Sequence, residues 1–389
     1  MYKSETITLT FVSIWVARIL TGVLFVFSGL IKANDPLGFS YKLEEYFQVF
    51  NLAFLNEYAV VIAVLLCSLE IILGALLLLG IRKNQVTGGL LLLILFFTFL
   101  TFYSAFFEVV TSCGCFGDAI PLTPWQSFIK DLILLVFIIF LFVKRNTIKP
   151  IVEDLYTKNI ITAAVAIISI GIGVYTYNFL PILDFLPYKK GNNLPELMQI
   201  PPGATLDEYE TTYTLKNKLT DEEKVMSDKN YLKTEIWKDE NWEIIGEPKT
   251  VLLKKGYQLP ISDLVISDEN GIENTDIILE NPEYNIIIVA YDLYNSNQNA
   301  LKKLNDLAKE AEEQFTIRSV ILTSSSSQLA DKLAQELGLT TQFFYADAVP
   351  LKSMVRANPG LLLMKNGTVI NKWSYHLIPS FEKLSDEYF

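Results

Sequence analysis

The chain of 389 residues is 51% hydrophobic and has a formal net charge of -11 at pH 7. Its positive mean hydropathy of +0.32 indicates that part of it lies in lipid, while the length leaves room for soluble domains as well. The acidic excess falls almost entirely after Tyr188. Nucleic-acid binding is therefore excluded, because it requires clustered lysine and arginine.

Five apolar segments are each close to the roughly 20 residues that cross the hydrocarbon core of a bilayer. The first is longer than a signal peptide and lacks a small-residue cleavage site, so we expect it to remain in the protein. The predicted transmembrane helices cover residues 11–30, 58–79, 86–107, 124–143 and 159–180.

Short loops that contain lysine and arginine stay in the cytoplasm, and this rule predicts the orientation of the helices. Such residues occur in two loops, as Arg82 and Lys83 after the second helix and as Lys144, Arg145, Lys149 and Lys158 after the fourth. We therefore predict a bacterial inner-membrane protein with a cytoplasmic N-terminus. Since the number of spans is odd, the loops 31–57 and 108–123 and the C-terminal part are predicted to be periplasmic.

Two regions outside the spans have patterns of their own. Residues 41–50 place Leu43, Phe47 and Phe50 between charged residues, which is typical of an amphipathic helix at a membrane surface. After Tyr188 the sequence turns polar, with a linker at Pro201-Pro202-Gly203 and alternating residues that predict strands near 209–215 and 235–245.

The remainder of the chain alternates between strand and helix patterns. We predict strands at 285–291, 317–323, 360–365 and 368–373 and helices at 299–314 and 327–337. The predicted organisation thus has four parts: a four-helix membrane domain (1–145), a fifth transmembrane helix with its flanks (146–187), a β-rich periplasmic linker region (188–255) and a soluble α/β domain (256–389).

Three groups of motifs occur together in the membrane part. They are Arg18-Ile-Leu-Thr-Gly22 with Phe27-Ser-Gly29-Leu-Ile-Lys32 and Asp35-Pro36, then Glu70-Ile-Ile-Leu-Gly74, then Cys113-Gly-Cys-Phe-Gly117. In this combination, about residues 10–145 resemble DoxX/MauE-type membrane proteins. The resemblance implies a redox-associated four-helix membrane unit, to which this chain adds a fifth helix.

The C-terminal part resembles the thioredoxin fold of periplasmic thiol-disulfide proteins. The similar features are Asp268-Glu-Asn-Gly271, the strand at Ile286 and Asn358-Pro359-Gly360 before the final hairpin. The resemblance implies a cis proline that faces the active site. Active members have Cys-x-x-Cys after the first central strand, where this chain has Tyr291-Asp-Leu-Tyr-Asn-Ser296, so its α/β domain cannot perform dithiol chemistry.

The α/β domain therefore has a predicted binding role rather than a catalytic one. We expect Tyr291, Asp292 and Pro359 to line a groove that binds a peptide or a partner protein. The alternative is that Pro359 only preserves the fold.

Cys113 and Cys115 are the predicted redox residues. A disulfide between them would close a very small ring, which Gly114 permits because it has no Cβ atom. Such a strained bond is readily reduced, which suits exchange with periplasmic thiols or with a quinone in the lipid. The alternative is a pair of structural cysteines.

No metal is expected, because a closed site needs about four ligands and the single histidine, His376, lies in the other domain.

Charged residues lie within three of the predicted spans, where a lone charge costs at least about 2.5 kcal/mol. We expect Arg18, Glu70 and Asp131 to face the bundle interior and find partners there. Arg18 and Glu70 lie at depths that allow them to pair if their helices touch. A structural ion pair and a proton path are both consistent with this placement.

Lys32, with Asp35 beside it, lies at the predicted outer end of the first span, at the depth of the cysteine motif. Lys32 would favour a thiolate there, or it would simply extend to the interface. Cys67, one helical turn before Glu70, is expected to be a packing residue.

Two functions fit these features. The first is thiol-disulfide exchange with periplasmic partners through Cys113 and Cys115, with electrons passing to or from a quinone or another membrane donor and the α/β domain selecting the partner. The second is a non-enzymatic, membrane-anchored subunit or scaffold of an envelope protein complex. A transporter is disfavoured, since the five spans contain few polar residues to line a pathway.

Overall fold

The computed structural model describes residues 2–110 and 114–389, and its N-terminal part is a helical bundle. Every helix of this part except α2 is long and apolar enough to cross a membrane, which confirms the predicted multi-pass architecture of five spans. The helices are α1 (Tyr2–Asn34), α2 (Pro36–Val49), α3 (Ala59–Leu79), α4 (Lys83–Phe107), α5 (Pro124–Val143) and α6 (Leu155–Phe179).

α2 contains the helix predicted for residues 41–50. It begins earlier than predicted, at Pro36, because the Asp35 carboxylate accepts a hydrogen bond from the Gly38 amide and so caps the first turn. Leu43 and Tyr46 are buried, and the helix packs against α3.

The bundle is formed by close pairs of helices, α1 with α3 and α4 with α5, while α6 lies against α3. Gly74 marks the closest approach of α1 and α3. A Cβ atom at this position would lie 2.8 Å from the Gly22 carbonyl oxygen and 2.9 Å from the Val26 amide nitrogen, both of them backbone atoms. Small residues at such contacts are typical of helix pairs in membranes, where association depends on close packing.

A separate compact unit, Asn193–Ser262, contains a small antiparallel sheet. Its elements are α7 (Leu194–Leu197), β1 (Glu208–Asn217), β2 (Glu223–Ser227), α8 (Asp228–Thr234), β3 (Trp242–Ile244) and β4 (Lys249–Lys254). The strand predicted for 209–215 is present in β1. The strand predicted for 235–245 is wrong over most of its length, because a 3-10 turn occupies Ile236–Lys238 and only Trp242–Ile244 pairs with β1.

The α/β domain has the sheet order β7-β6-β5-β8-β9, in which β5, β6 and β7 are parallel while β8 and β9 form an antiparallel hairpin. The core between the sheet and the helices contains Ile286, Leu304 and Leu361. The elements are α9 (Thr275–Leu279), β5 (Tyr284–Val289), α10 (Gln298–Phe315), β6 (Arg318–Thr323), α11 (Ser327–Leu337), β7 (Gln342–Tyr345), α12 (Ala348–Met354), β8 (Gly360–Lys365), β9 (Thr368–Ser374) and α13 (Phe381–Tyr388).

This arrangement, with a cis peptide bond between Asn358 and Pro359 just before β8, is the predicted thioredoxin-like fold. The helix predicted for 327–337 and the strand predicted for 360–365 have the predicted ends. Met1–Asn192 and Asp263–Phe389 together form one compact unit, so the bundle and the α/β domain contact each other directly.

Candidate functional site

The loop between α4 and α5 positions Cys115 at one end of the bundle. Gly114 has a φ of 63°, a left-handed conformation that a residue with a side chain rarely adopts, and its carbonyl accepts a hydrogen bond from the Gly117 amide across 3.1 Å. Cys115 is buried, with 8% of its surface exposed. Cys113, the other predicted redox residue, lies outside the described residues.

A small cavity of about 20 Å³ lies beneath this loop, inside the bundle. It has room for about one water molecule. Its polar lining brings the cysteine motif together with charged residues from three spans: Ser28, Lys32, Glu70, Cys115, Lys130 and Asp131.

Lys32 and Glu70 form a buried ion pair between α1 and α3, with 3% and 1% of their side chains exposed. The Ser28 hydroxyl lies 2.9 Å from both Glu70 Oε2 and the Cys115 carbonyl oxygen, so its single proton can be donated to either. The Lys32 ammonium also lies 4.5 Å from the centroid of the Phe97 ring. Lys32 therefore points into the bundle.

Arg18 binds backbone atoms instead of Glu70. Its guanidinium donates to the carbonyl oxygens of Leu77 and Leu78 across 2.8 and 2.7 Å, and to that of Lys149 across 3.2 Å. The predicted Arg18–Glu70 pair is therefore wrong. The physical reason is that α3 ends at Leu79, so its last carbonyls lack the usual amide donor four residues ahead, and Arg18 lies at their depth. The Leu77 carbonyl also accepts from the Gly80 amide across 3.0 Å.

Asp131 is paired with its neighbour in sequence, which the sequence reasoning missed. Lys130 Nζ lies 2.6 Å from Asp131 Oδ1, and the Thr101 hydroxyl donates to Asp131 Oδ2 across 3.1 Å. The Lys130 ammonium also lies 5.3 Å from the centroid of the Phe116 ring, next to Cys115. A signal in the sequence could have revealed this pair. Lys130 and Asp131 both lie inside a predicted span, where neither charge is expected without a partner.

The two pairs give this end of the bundle a specific electrostatic character. Lys32 and Lys130 both border the cavity at Cys115, and each is balanced by one carboxylate. Each ammonium has three N–H donors, and the contact with Glu70 or Asp131 uses one of them. A thiolate formed at this loop would therefore have two ammonium groups nearby, the kind of environment that favours thiolate over thiol.

Cys67 does not belong to this site. It is fully buried in an apolar cluster with Ala33, Phe39, Leu43 and Ala63, the packing role expected from the sequence. Burial beneath these side chains keeps it away from the cavity lining.

The residues of the predicted groove lie together in the α/β domain. The Asn358 side chain donates to the Asp292 carbonyl across 2.7 Å and so joins the segment after β5 to the loop of Pro359. The Tyr291 hydroxyl lies 3.3 Å from the hydroxyl of Tyr41 on α2. The predicted groove therefore faces the membrane domain of the same chain.

Asp35 contacts both its own helix and the α/β domain. Its carboxylate accepts from the Gly38 amide and from Arg356, a residue of the α/β domain that the sequence reasoning missed. Arg356 was identifiable only by its position two residues before Asn358-Pro359.

Comparison with known proteins gives matches to parts of the chain. The family model described as methylamine utilisation protein MauE matches residues 10–144. Protein TlpB of Flavobacterium psychrophilum is 35% identical over 137 residues, which cover 33% of this chain and 37% of that protein. The chain thus matches little more than a third of the length of this curated relative.

Among solved structures, a mutant of PrxQ from Xylella fastidiosa matches 33% of this chain and 89% of its own, with 11% identity and a TM-score of 0.23. The thioredoxin-like character of the α/β domain is based on its own strand order and cis proline. Residues 10–144 thus form a MauE domain within a membrane-associated chain.

Proposed function

We propose that this chain exchanges disulfides with partner proteins outside the cytoplasm, through Cys113 and Cys115. The observation that carries the proposal is the position of Cys115 above a cavity bordered by two ion pairs, the buried pair Lys32–Glu70 and the partly buried pair Lys130–Asp131. Buried charges in a membrane are costly, so two pairs beside one cysteine support a role in its chemistry.

The exchange proceeds in two steps. A thiolate of the reduced pair attacks a partner disulfide, forms a mixed disulfide and releases one partner thiolate, which takes up a proton. The second cysteine then displaces the other partner sulfur, so that the pair is oxidised to a disulfide and the partner is reduced by two electrons. In the opposite direction a partner dithiol reduces the pair, which passes two electrons and two protons to a lipid-soluble quinone.

We place the chain in the bacterial inner membrane, with its N-terminus in the cytoplasm and the Cys115 loop in the periplasm. Arg82, Lys83 and the lysines and arginine of the loop between α5 and α6 support this orientation. Reporter fusions at residues 84 and 389 test it, and activity of a periplasm-specific reporter at residue 84 would overturn it.

Single substitutions at the two cysteines test the exchange. Cys113→Ser and Cys115→Ser should each trap a mixed disulfide with a partner, seen as a reducible band on a gel, because the resolving sulfur is absent. Cys67→Ser, which removes a buried sulfur away from the cavity, is the matched control and should trap nothing. If neither variant traps a partner and acid-quenched alkylation finds the native pair in one oxidation state in cells, the proposal is wrong.

The second candidate is a redox-inactive subunit of an envelope protein complex. The specific observation in its favour is that all three cysteines lie in the membrane domain, so the thioredoxin-like domain has no sulfur to exchange. Co-purification from native membranes of a stable set of partners, unchanged in Cys113→Ser and Cys115→Ser, would favour this function.

A further inference from the structure

One face of the α/β domain contacts the bundle through residues from three neighbouring segments. Tyr291 follows β5, Lys352 lies on α12, and Arg356 lies between α12 and the cis peptide bond of Pro359. We call Tyr291, Lys352 and Arg356 the docking face. Tyr291 is also a residue of the predicted partner-binding groove, so the contacts of the docking face affect what can reach that groove.

Arg356 binds carboxylates from two different loops of the bundle. Its Nε donates to Asp35 Oδ2 across 2.8 Å and its Nη2 to Asp118 Oδ2 across 3.4 Å, while only 6% of the side chain is exposed. Burial opposes the charge of the guanidinium, but Asp35 and its other neighbours outweigh this effect, and the pKa of Arg356 lies above its usual value. Since Asp118 follows Cys115 by three residues, this side chain holds the cysteine loop directly.

Two tyrosines form the rest of the contact. The Tyr41 and Tyr291 hydroxyls are 3.3 Å apart, and burial raises the pKa of both, so both stay protonated and one donates to the other. The Lys352 ammonium lies 4.3 Å from the centroid of the Tyr41 ring. A cation–π contact of this kind contributes about 0.5–2 kcal/mol, depending on its exposure.

A second set of contacts lies beside the docking face, on β9. Lys372 forms an ion pair with Asp184, and its ammonium also donates to the carbonyl of Met354, two residues before Arg356. The Ser374 hydroxyl donates to the Asn178 carbonyl across 2.9 Å. The α/β domain is therefore attached to the bundle through β9 as well as through the docking face, and Arg356 joins it to the loop of Cys115 through Asp118.

We propose that the α/β domain is a cap on the Cys115 loop, held closed by Arg356, and that a partner reaches the cysteines only after the docking face separates from α2 and Asp118. The docking face thus has the membrane domain of its own chain as its partner. Control of exchange by this cap rests on the proposed function, whereas the cap itself does not require that the cysteines cycle.

Accessibility of Cys115 tests the cap. In the full chain bearing Cys67→Ser and Cys113→Ser, reduced and held in nanodiscs, only Cys115 reacts with a polyethylene-glycol maleimide. Arg356→Glu places a carboxylate opposite Asp35 and Asp118 and should raise the alkylation rate at least tenfold. Lys332→Glu makes the same kind of charge reversal at an exposed position on α11 and should leave the rate within twofold of the parent.

Two further measurements keep the outcome decisive. Tyr291→Phe removes only the hydroxyl contact, so it should stay folded and raise the rate by a smaller factor, about twofold to fivefold. Hydrogen exchange of residues 36–49 and 114–120 should rise in Arg356→Glu. Equal alkylation rates in the parent, Arg356→Glu and Tyr291→Phe, with the α/β domain folded by circular dichroism, would overturn the cap. If the cysteine pair never cycles in cells but Arg356→Glu exposes Cys115, the cap is supported and the proposed exchange function is wrong.

Discussion

Replacing Lys32 with methionine tests whether the buried ion pair with Glu70 stabilises the bundle. Methionine fills similar apolar space but leaves Glu70, 1% exposed, with the Ser28 hydroxyl as its hydrogen-bond donor. Removing one partner of a buried ion pair leaves the other charge uncompensated, which costs about 3–5 kcal/mol.

The expected loss of unfolding free energy is therefore about 3–5 kcal/mol. Unfolding of the purified full chain in mixed micelles with increasing SDS, followed by tryptophan fluorescence, measures this free energy in the parent and the variant.

Two comparisons make this result specific to the pair. Lys32→Met with Glu70→Leu removes both charges and should recover most of the loss. Lys42→Met removes a lysine from a more exposed pair with Glu45 and should cost less than about 1 kcal/mol. A loss below about 1 kcal/mol in Lys32→Met, or a double variant no more stable than Lys32→Met, would refute the reasoning.

Three further substitutions have expected outcomes. Gly74→Val pushes α1 away from α3, since the added atoms meet backbone, and should lower the unfolding free energy by about 1–3 kcal/mol; an unchanged value would contradict the close approach. Asn305→Leu leaves two backbone amides of segment 340–341 without their acceptor and should cost about 1–3 kcal/mol in thermal unfolding, whereas normal hydrogen-exchange protection of those amides would refute it. Asp131→Asn removes the carboxylate that balances the neighbouring lysine, so half-maximal alkylation of Cys115 should occur about one pH unit lower; a shift to higher pH would contradict the role assigned to that charge.

The spans and the α/β domain could be predicted because their signals are local. A segment that crosses lipid has to be apolar over its full length, and buried strands with amphipathic helices keep their periods regardless of their partners. The strand predicted for 235–245 is wrong because a short alternation of charged and apolar residues also fits a 3-10 turn. Such a turn occupies Ile236–Lys238. β7, only four residues long, has too little sequence to show a period.

The partners of the buried charges could not be predicted in the same way. Arg18 binds carbonyls in the last turn of α3, which are open to a side chain because the helix ends at Leu79, and this depends on where a neighbouring helix stops. A local signal did exist for Lys32, which lies four residues after Ser28 and so shares its helix face. The sequence prediction placed Lys32 at the interface only from its depth in the first span. That depth gives no information on the direction in which a long side chain points.

The absence of cysteine from the thioredoxin-like domain gains a physical meaning once the docking face is considered. In an active thioredoxin fold the cysteines would lie in the segment that begins at Tyr291, and here Tyr291 contacts Tyr41 on α2. Tyr291 and Arg356 contact the bundle through hydrogen bonds and charge alone, so contact between the two domains does not by itself transfer electrons.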